Sequence, residues 1–412
     1  MNLWIPLFLL PISLSSLASV SLKDAYTHAK ENMETIKKAN AQLDQAEARK
    51  NVARASFLPT ISFEASDTRI DQPSAAGINR AFILTRQYSA GLRLRQPLIR
   101  GGVLSGYQLR DEEYLLAQFQ KDYSYISLYQ LLINAYYNLY LAQIDLKNLQ
   151  ELRDFSQDRL KEISSLAKVG RSRQGEVVQA QTQLLTAKAQ YEQGLQTLKE
   201  AQQNFNFYTG REEAVVLAPT ILPKKLQDFS FYLDKLNSRP DMLAAQQELR
   251  VADKQVGISK GGHYPTVDLV GNYYFDRTGV LQTSEWDLGV QVSVPLFQGG
   301  SVVSQVKEAT QAKRVAELNT SEKIRQARTE LSVFYQNYHQ IQTQLATLKS
   351  ALAKAEEAYK LNQKDYRYGQ VTNLEVLQSL NLFIETKRAY DNLLIVAHMT
   401  HKNLEASAGV LP

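Results

Sequence analysis

The sequence predicts a mainly α-helical chain that also supplies a membrane β-barrel. It reads as two tandem copies of one unit, in which long coiled-coil helices flank a pair of β-strands. Three observations predict this. Proline is missing from two long stretches, a seven-residue apolar repeat fills those stretches, and the boundary Pro-Leu-x-x-Gly-Gly occurs twice.

Of 412 residues only 11 are Pro and 19 are Gly, few for a loop-rich enzyme. No proline lies between Pro97 and Pro219 or between Pro295 and Pro412. Each interval can therefore hold a very long helix, which an internal proline would kink or break. In the first interval Leu116, Phe119, Tyr123, Ile126, Gln130, Ile133, Tyr137, Tyr140 and Ile144 recur at steps of three and four. In the second, Leu331, Phe334, Tyr338, Ile341, Leu345, Leu348, Leu352, Ala355, Tyr359 and Tyr366 do the same, with Asn362 the polar member. A sustained heptad implies left-handed coiled-coil packing. Gly170 and Gly369 mark where each long helix turns back, since Gly readily ends a helix, and helical pattern resumes to Gly210 and Gly409.

The duplication is explicit in the residues. Arg-Gln-Pro-Leu-Ile-Arg-Gly-Gly ends at Gly102 and Ser-Val-Pro-Leu-Phe-Gln-Gly-Gly ends at Gly300. Glu176-Val177-Val178-Gln179 follows Gly170 as Glu375-Val376-Leu377-Gln378 follows Gly369, with the offset held to one residue. Pro219 and Pro223 separate the copies, giving a first repeat over 19–220 and a second over 221–412.

Ahead of each Gly-Gly the period changes to two. Ile61 and Phe63, then Ala90, Leu92 and Leu94, predict a strand pair over 59–98. Val267, Leu269, Tyr273 and Phe275, then Trp286, Leu288, Val290, Val292 and Val294, predict a second over 265–296. A helix precedes each pair: Leu22 to Phe57 in the first copy, and the seam from Met242 to Ser259 in the second. Strands of this length suit a tilted bilayer crossing. Four cannot close a barrel, because the smallest have about eight, so strands in a membrane require several chains. If the apolar residues face lipid, Glu64, Arg93, Arg95, Asp268 and Asp287 fall together on the opposite, lumenal face.

Residues 1–18 read as a signal peptide. Leu3 to Leu14 is its apolar core, and Ser16-Leu17-Ala18 supplies small residues for cleavage after Ala18. Elsewhere no segment approaches about 18 uninterrupted apolar residues, so no transmembrane helix is expected in the mature chain. The net charge of +5 is dispersed along the helical stretches, which gives nucleic-acid binding no support. The absence of Cys excludes disulfides, thiolate catalysis and Cys-based metal sites. His398, His401 and Glu405 are spaced along one helix but lack the glutamate of His-Glu-x-x-His, and read as polar surface and not as a metal site. No Lys-Ser/Thr follows either Gly-Gly pair and no nucleophile elbow is present, so neither a cofactor nor an enzyme is expected.

The Pro-Leu-Phe-Gln-Gly-Gly boundary, the Tyr368-Gly369 turn with Leu374-Glu375-Val376-Leu377-Gln378, the Arg239-Pro240-Asp241 start of the second copy and the duplication together resemble TolC-like outer membrane factors. The resemblance covers roughly residues 20 to 411. It implies a homotrimer with a 12-stranded outer-membrane β-barrel and a periplasmic α-helical barrel. It also implies a passive export duct for drugs, metals or secreted proteins, whose tips dock a periplasmic adaptor of an inner-membrane transporter. The docking residues would lie at Gly170, Arg171, Arg173, Gly369 and Gln370. Glu176 with Gln179, and Glu375 with Gln378, would ring the periplasmic constriction, each pair sharing a helix face. A periplasmic coiled-coil scaffold or adaptor is the alternative. It explains the heptads but not the repeated strand pairs with aromatic ends at Tyr273, Tyr274, Phe275 and Trp286.

Overall fold

The computed structural model describes residues 19–69, 86–218, 226–278 and 283–412. The expected leader, 1–18, and the prolines that mark the boundary near 220 lie outside the described residues. In chain order the elements are α1 (Leu22–Asn32), α2 (Glu34–Ala55), β1 (Thr60–Arg69), β2 (Arg86–Arg100), α3 (Val103–Lys168) and α4 (Gln174–Thr209). These are followed by α5 (Phe229–Leu236), α6 (Pro240–Lys260), β3 (Thr266–Arg277), β4 (Trp286–Ser293), α7 (Ser301–Arg367) and α8 (Asn373–Ser407).

The proline-free intervals become α3 and α7, of 66 and 67 residues. Each ends in a Schellman turn built on glycine. Gly170 and Gly369 have φ of +75° and +73°, a conformation that L side chains rarely adopt. The Arg171 N–H reaches back to the Leu166 carbonyl at 2.8 Å, as Gln370 N–H reaches Asp365 at 3.0 Å, so both ends satisfy orphan carbonyls in the same way.

Three local features depart from the sequence pattern. The helix expected from Leu22 to Phe57 is broken at Met33, whose extended backbone (ψ 132°) lets its side chain enter the core. The second copy opens on α5, and α6 starts anew at Pro240, whose ring fits the first turn of a helix but not its interior. The strand limits also shift. β4 stops at Ser293, short of Pro295, which has no N–H for the ladder, whereas β2 continues through Pro97 to Arg100 because a bulge between Pro97 and Ile99 absorbs the missing donor.

The chain divides into two compact units. One comprises the described residues up to Lys37 with Tyr123–Arg239 and Gln326–Pro412. Its largest core packs Tyr26, Tyr129, Tyr136, Tyr137 and Phe205 with Leu132, Ile133 and Ile395. A second core nearer the turns joins Leu152, Ala187, Tyr359, Val376, Leu380 and Ile384. Arg239, at 5% exposure, donates from Nη1 to the Ser407 carbonyl at 2.5 Å and so closes the C-terminus of α8. That contact gives the Arg239-Pro240-Asp241 sequence a physical role.

The other unit comprises Lys38–Asp122 and Pro240–Arg325 and contains the sheet. The strands run in the order β1-β2-β3-β4, every neighbouring pair antiparallel. Among the described residues the outer edges of β1 and β4 pair with nothing, and the sheet is not closed. Beside it the Gln247 side chain donates to both Glu112 Oε2 (2.5 Å) and the Glu112 carbonyl (3.1 Å), and Lys313 pairs with Asp253 at 2.6 Å.

Candidate functional site

The sheet has two chemically opposite faces. Register places Ile61 opposite Leu94, Phe63 opposite Leu92, Leu92 opposite Tyr273 and Leu269 opposite Val290, all on one face. That face is open to its surroundings: Ile61 is 70% exposed, Trp286 66%, and Leu288 and Val290 both 61%. A contiguous apolar surface of this extent marks an interaction site in any protein.

The opposite face carries Glu64, Arg93, Arg95, Asp268 and Asp287, which the structure brings together as the alternation predicts. Arg93 pairs with Glu64 at 3.3 Å, Arg95 with the buried Asp268 at 2.7 Å, and Asn272 donates to Asp287 at 2.7 Å. Sequence reasoning missed Arg100, which also reaches Asp268 at 3.3 Å. Strict alternation from Arg95 would put Arg100 on the apolar side. The bulge between Pro97 and Ile99 reverses the phase, so Ile99 faces Val267 and Arg100 joins the charged face. A second register shift, between Ala90 and Gly91, needs glycine, since a Cβ on Gly91 would lie 2.2 Å from the Tyr273 carbonyl oxygen.

The two turns after α3 and α7 surround a cavity of about 760 Å³. Behind it sits Arg159, buried at 4% exposure. Its guanidinium lies 3.9 Å from the Tyr366 ring centroid and donates to Asn373 Oδ1 at 2.9 Å and Glu162 at 2.8 Å. Nη2 of the same guanidinium has no hydrogen-bond partner among the described residues. Burying a charge requires partners of this kind.

The paired Glu and Gln residues take up distinct positions. Glu176 is half-buried, and its carboxylate accepts from the Ser172 hydroxyl at 2.5 Å, the Arg173 N–H at 3.3 Å and the Tyr366 hydroxyl at 3.3 Å. Burial opposes ionisation there, but these donors win and hold its carboxyl below the usual range. Glu375 is exposed and forms a capping box with Thr372, accepting from its N–H at 2.6 Å and its hydroxyl at 2.9 Å, which also lowers its pKa. Both carboxylates therefore bind the starts of the returning helices, while Gln179 and Gln378 are exposed one turn on. Arg171 and Arg173 are exposed as well.

His398 and His401 are core residues and not the polar surface that the sequence suggests. His398 stacks on Tyr137 at 6.0 Å and 14°, and His401 packs against Tyr338 at 5.7 Å. Burial lowers the His398 pKa to about 4. An aromatic neighbourhood was invisible in a polar pair one turn apart.

Among the described residues no helix is long and apolar enough to cross a membrane. The chain aligns with the proteases secretion protein PrtF of Dickeya chrysanthemi at 23% identity, covering 98% of this chain and 91% of that protein. It aligns with the outer membrane protein TolC of Escherichia coli K12 at 24% identity, covering 98% and 86%. Among solved structures, the Campylobacter jejuni CmeC outer membrane channel superposes with a TM-score of 0.82 at 18% identity, covering 94% and 85%. The Vibrio cholerae outer membrane protein VceC gives 0.83 at 18%, covering 94% and 96%. The sequence pattern of the Outer membrane efflux protein family matches residues 25–211 and 232–409, nearly the whole described chain, and the protein belongs to that family.

Proposed function

We propose that this chain is one of three identical protomers of an outer-membrane duct for efflux or type I secretion. Each protomer contributes its four-stranded sheet to a shared 12-stranded barrel and its long helices to a periplasmic tube. The carrying observation is the sheet: apolar and exposed on one face, charged on the other, with two edges that are unpaired among the described residues. A sheet edge in lipid leaves backbone groups without partners, and joining β4 of one protomer to β1 of the next removes every edge. The apolar face then meets lipid, and Glu64, Arg93, Arg95, Asp268 and Asp287 line a wet lumen where charge is tolerated.

In this reading the two sequence repeats are two copies of one hairpin-plus-strand-pair unit. The turns at Gly170 and Gly369 dock a periplasmic adaptor of an inner-membrane transporter and form the narrow end of the duct. Glu176, Gln179, Glu375 and Gln378 lie beside the opening. The relatives named as a proteases secretion protein and as the outer membrane protein TolC support a conduit for export. A coiled-coil scaffold would leave the exposed apolar sheet face without a purpose.

Reconstitution tests the proposal. Purified protein should run as a trimer in detergent and add discrete conductance steps to planar lipid bilayers. A stable monomer that leaves bilayers silent would refute it.

A further inference from the structure

Charge changes face along β1 and β2. In the middle of these strands the charges lie on the inner side and the outward side is apolar, but at the ends away from the helices the order reverses. The outward residues of β1 run Ile61, Phe63, Ala65, Asp67 and Arg69, and their partners on β2 run Leu94, Leu92, Ala90, Tyr88 and Arg86. The alternate, inner positions at that end are uncharged, Ser66 opposite Ser89 and Thr68 opposite Gln87. Arg69 and Arg86 are therefore directly opposite each other, an arrangement in which like charges repel. Asp67 takes up Arg86 through two bonds, from Nε at 2.9 Å and from Nη2 at 2.8 Å, and so fixes that guanidinium. Arg69 is exposed and makes no ion pair among the described residues. The next acid, Asp276 on β3, lies opposite Ala90, four residues short of Arg86 along β2. Tyr88 and Phe275 border the arginines, Phe275 resting on Phe63 at 6.4 Å and on Tyr273 at 5.7 Å. Aromatic side chains at the edge of an apolar band mark the level of lipid headgroups.

We propose that Arg69 and Arg86 hold the phosphate of a phosphorylated glycolipid in the outer leaflet, whose acyl chains lie along Phe63, Ala65 and Ala90. The inference rests on the lipid-facing assignment of the sheet in the duct above and adds the chemistry of the lipid. The helices leave from the opposite strand ends, α2 before Thr60 and α3 after Arg100, so in the duct this rim is the outer one. A guanidinium presents paired N–H donors that match a phosphate, and one phosphate between two opposed arginines replaces their repulsion with charge-assisted hydrogen bonds. A rim that only needed solvation would keep its charges on the wet inner side, where the rest of the sheet keeps them. A headgroup anchored in the leaflet meets the arginines and the apolar face together, which a soluble anion does not.

The test is native mass spectrometry of the full chain in detergent, titrated with diphosphorylated lipid A or with the same lipid stripped of both phosphates. Lipid A should bind about tenfold tighter than the stripped lipid. R69Q/R86Q should remove that preference, with oligomer mass and bilayer conductance at the parent level. Arg69→Gln alone leaves the Arg86 pair with Asp67 in place and should reduce the preference to about threefold. Equal binding of the two lipids, or a preference that survives R69Q/R86Q, overturns the proposal, and discrete conductance steps then leave the duct standing. Displacement of lipid A by millimolar inorganic phosphate would reassign the arginines to a soluble anion. A monomer mass together with silent bilayers overturns the duct itself, and the outward lipid with it.

Discussion

Val290→Arg against Arg93→Ala separates a lipid-facing sheet from a soluble one. Val290 sits at the centre of β4, opposite Leu269, and is 61% exposed on the apolar face. An arginine near the bilayer midplane costs about 2 to 4 kcal/mol per strand, so a trimer bears about 6 to 12 kcal/mol. Arg93 lies on the other face, and its pair with Glu64 joins two exposed side chains, 43% and 57% accessible. Truncating it should cost about 0 to 1 kcal/mol. In a soluble sheet the ranking changes, because arginine at an exposed position is tolerated within about 0.5 kcal/mol. The assay is guanidinium unfolding of the protein in lipid vesicles, with recovery of heat-resistant trimer from outer membranes as a second readout. Val290→Arg should abolish trimer recovery, while Arg93→Ala should leave it near the parent level. Equal effects, or a larger loss from Arg93→Ala, would refute the assignment of faces.

Three further outcomes follow from the same geometry. Glu176→Gln combined with Glu375→Gln should weaken divalent-cation block of single-channel current, and an unchanged block would leave both residues as helix-start caps alone. His398 has its folded pKa depressed from 6.5 to about 4, so its contribution to stability is complete above pH 6.5 and is lost as pH falls towards 4. Up to about 3 kcal/mol is at stake. His398→Phe, which keeps the stack on Tyr137, should flatten the acid side of the stability profile measured by guanidinium midpoints, and an unaltered slope would exclude that histidine as its source. Gly91→Ala should reduce the yield of folded protein, since its Cβ meets the Tyr273 carbonyl oxygen, whereas Gly289→Ala, with open space around it, should be neutral.

The long helices and their turns were legible because they rest on local rules. A proline-free heptad run specifies α3 and α7 within a residue or two, and glycine at 170 and 369 supplies the left-handed backbone that a Schellman turn requires. The sheet faces were legible for the same reason, since alternation is a property of neighbouring residues. What escaped is set by distant partners or by breaks in phase. Arg100 changes face at a bulge that only pairing with β3 defines. The break at Met33 depends on a buried site for its side chain. Arg159 reads as one more charge on a helix, yet its neighbours Asn373 and Tyr366 lie more than two hundred residues away. The histidine pair misled because exposure cannot be read from two polar residues one turn apart.

The turns also show how a duplicated sequence acquires two roles on one backbone. At the second turn Thr372 offers its own hydroxyl, so the Glu375 carboxylate is satisfied within the first turn of α8. At the first turn the equivalent position is Arg173, which has no acceptor to give, and Glu176 draws its donors from Ser172 and from Tyr366 at the end of α7. Asn373 of α8 in turn donates to the Glu176 carbonyl at 3.4 Å and accepts from Arg159. With the hydroxyl moved to Ser172, the first helix start becomes a junction of four helices, and the exposed Arg173 side chain forms no ion pair among the described residues. Self-contained capping at one turn and cross-linked capping at the other go with two residue differences, Ser172 for Val371 and Arg173 for Thr372. The free cations are therefore on the side of the pair whose backbone is tied to its neighbour, where a bound partner would meet a surface already fixed in place.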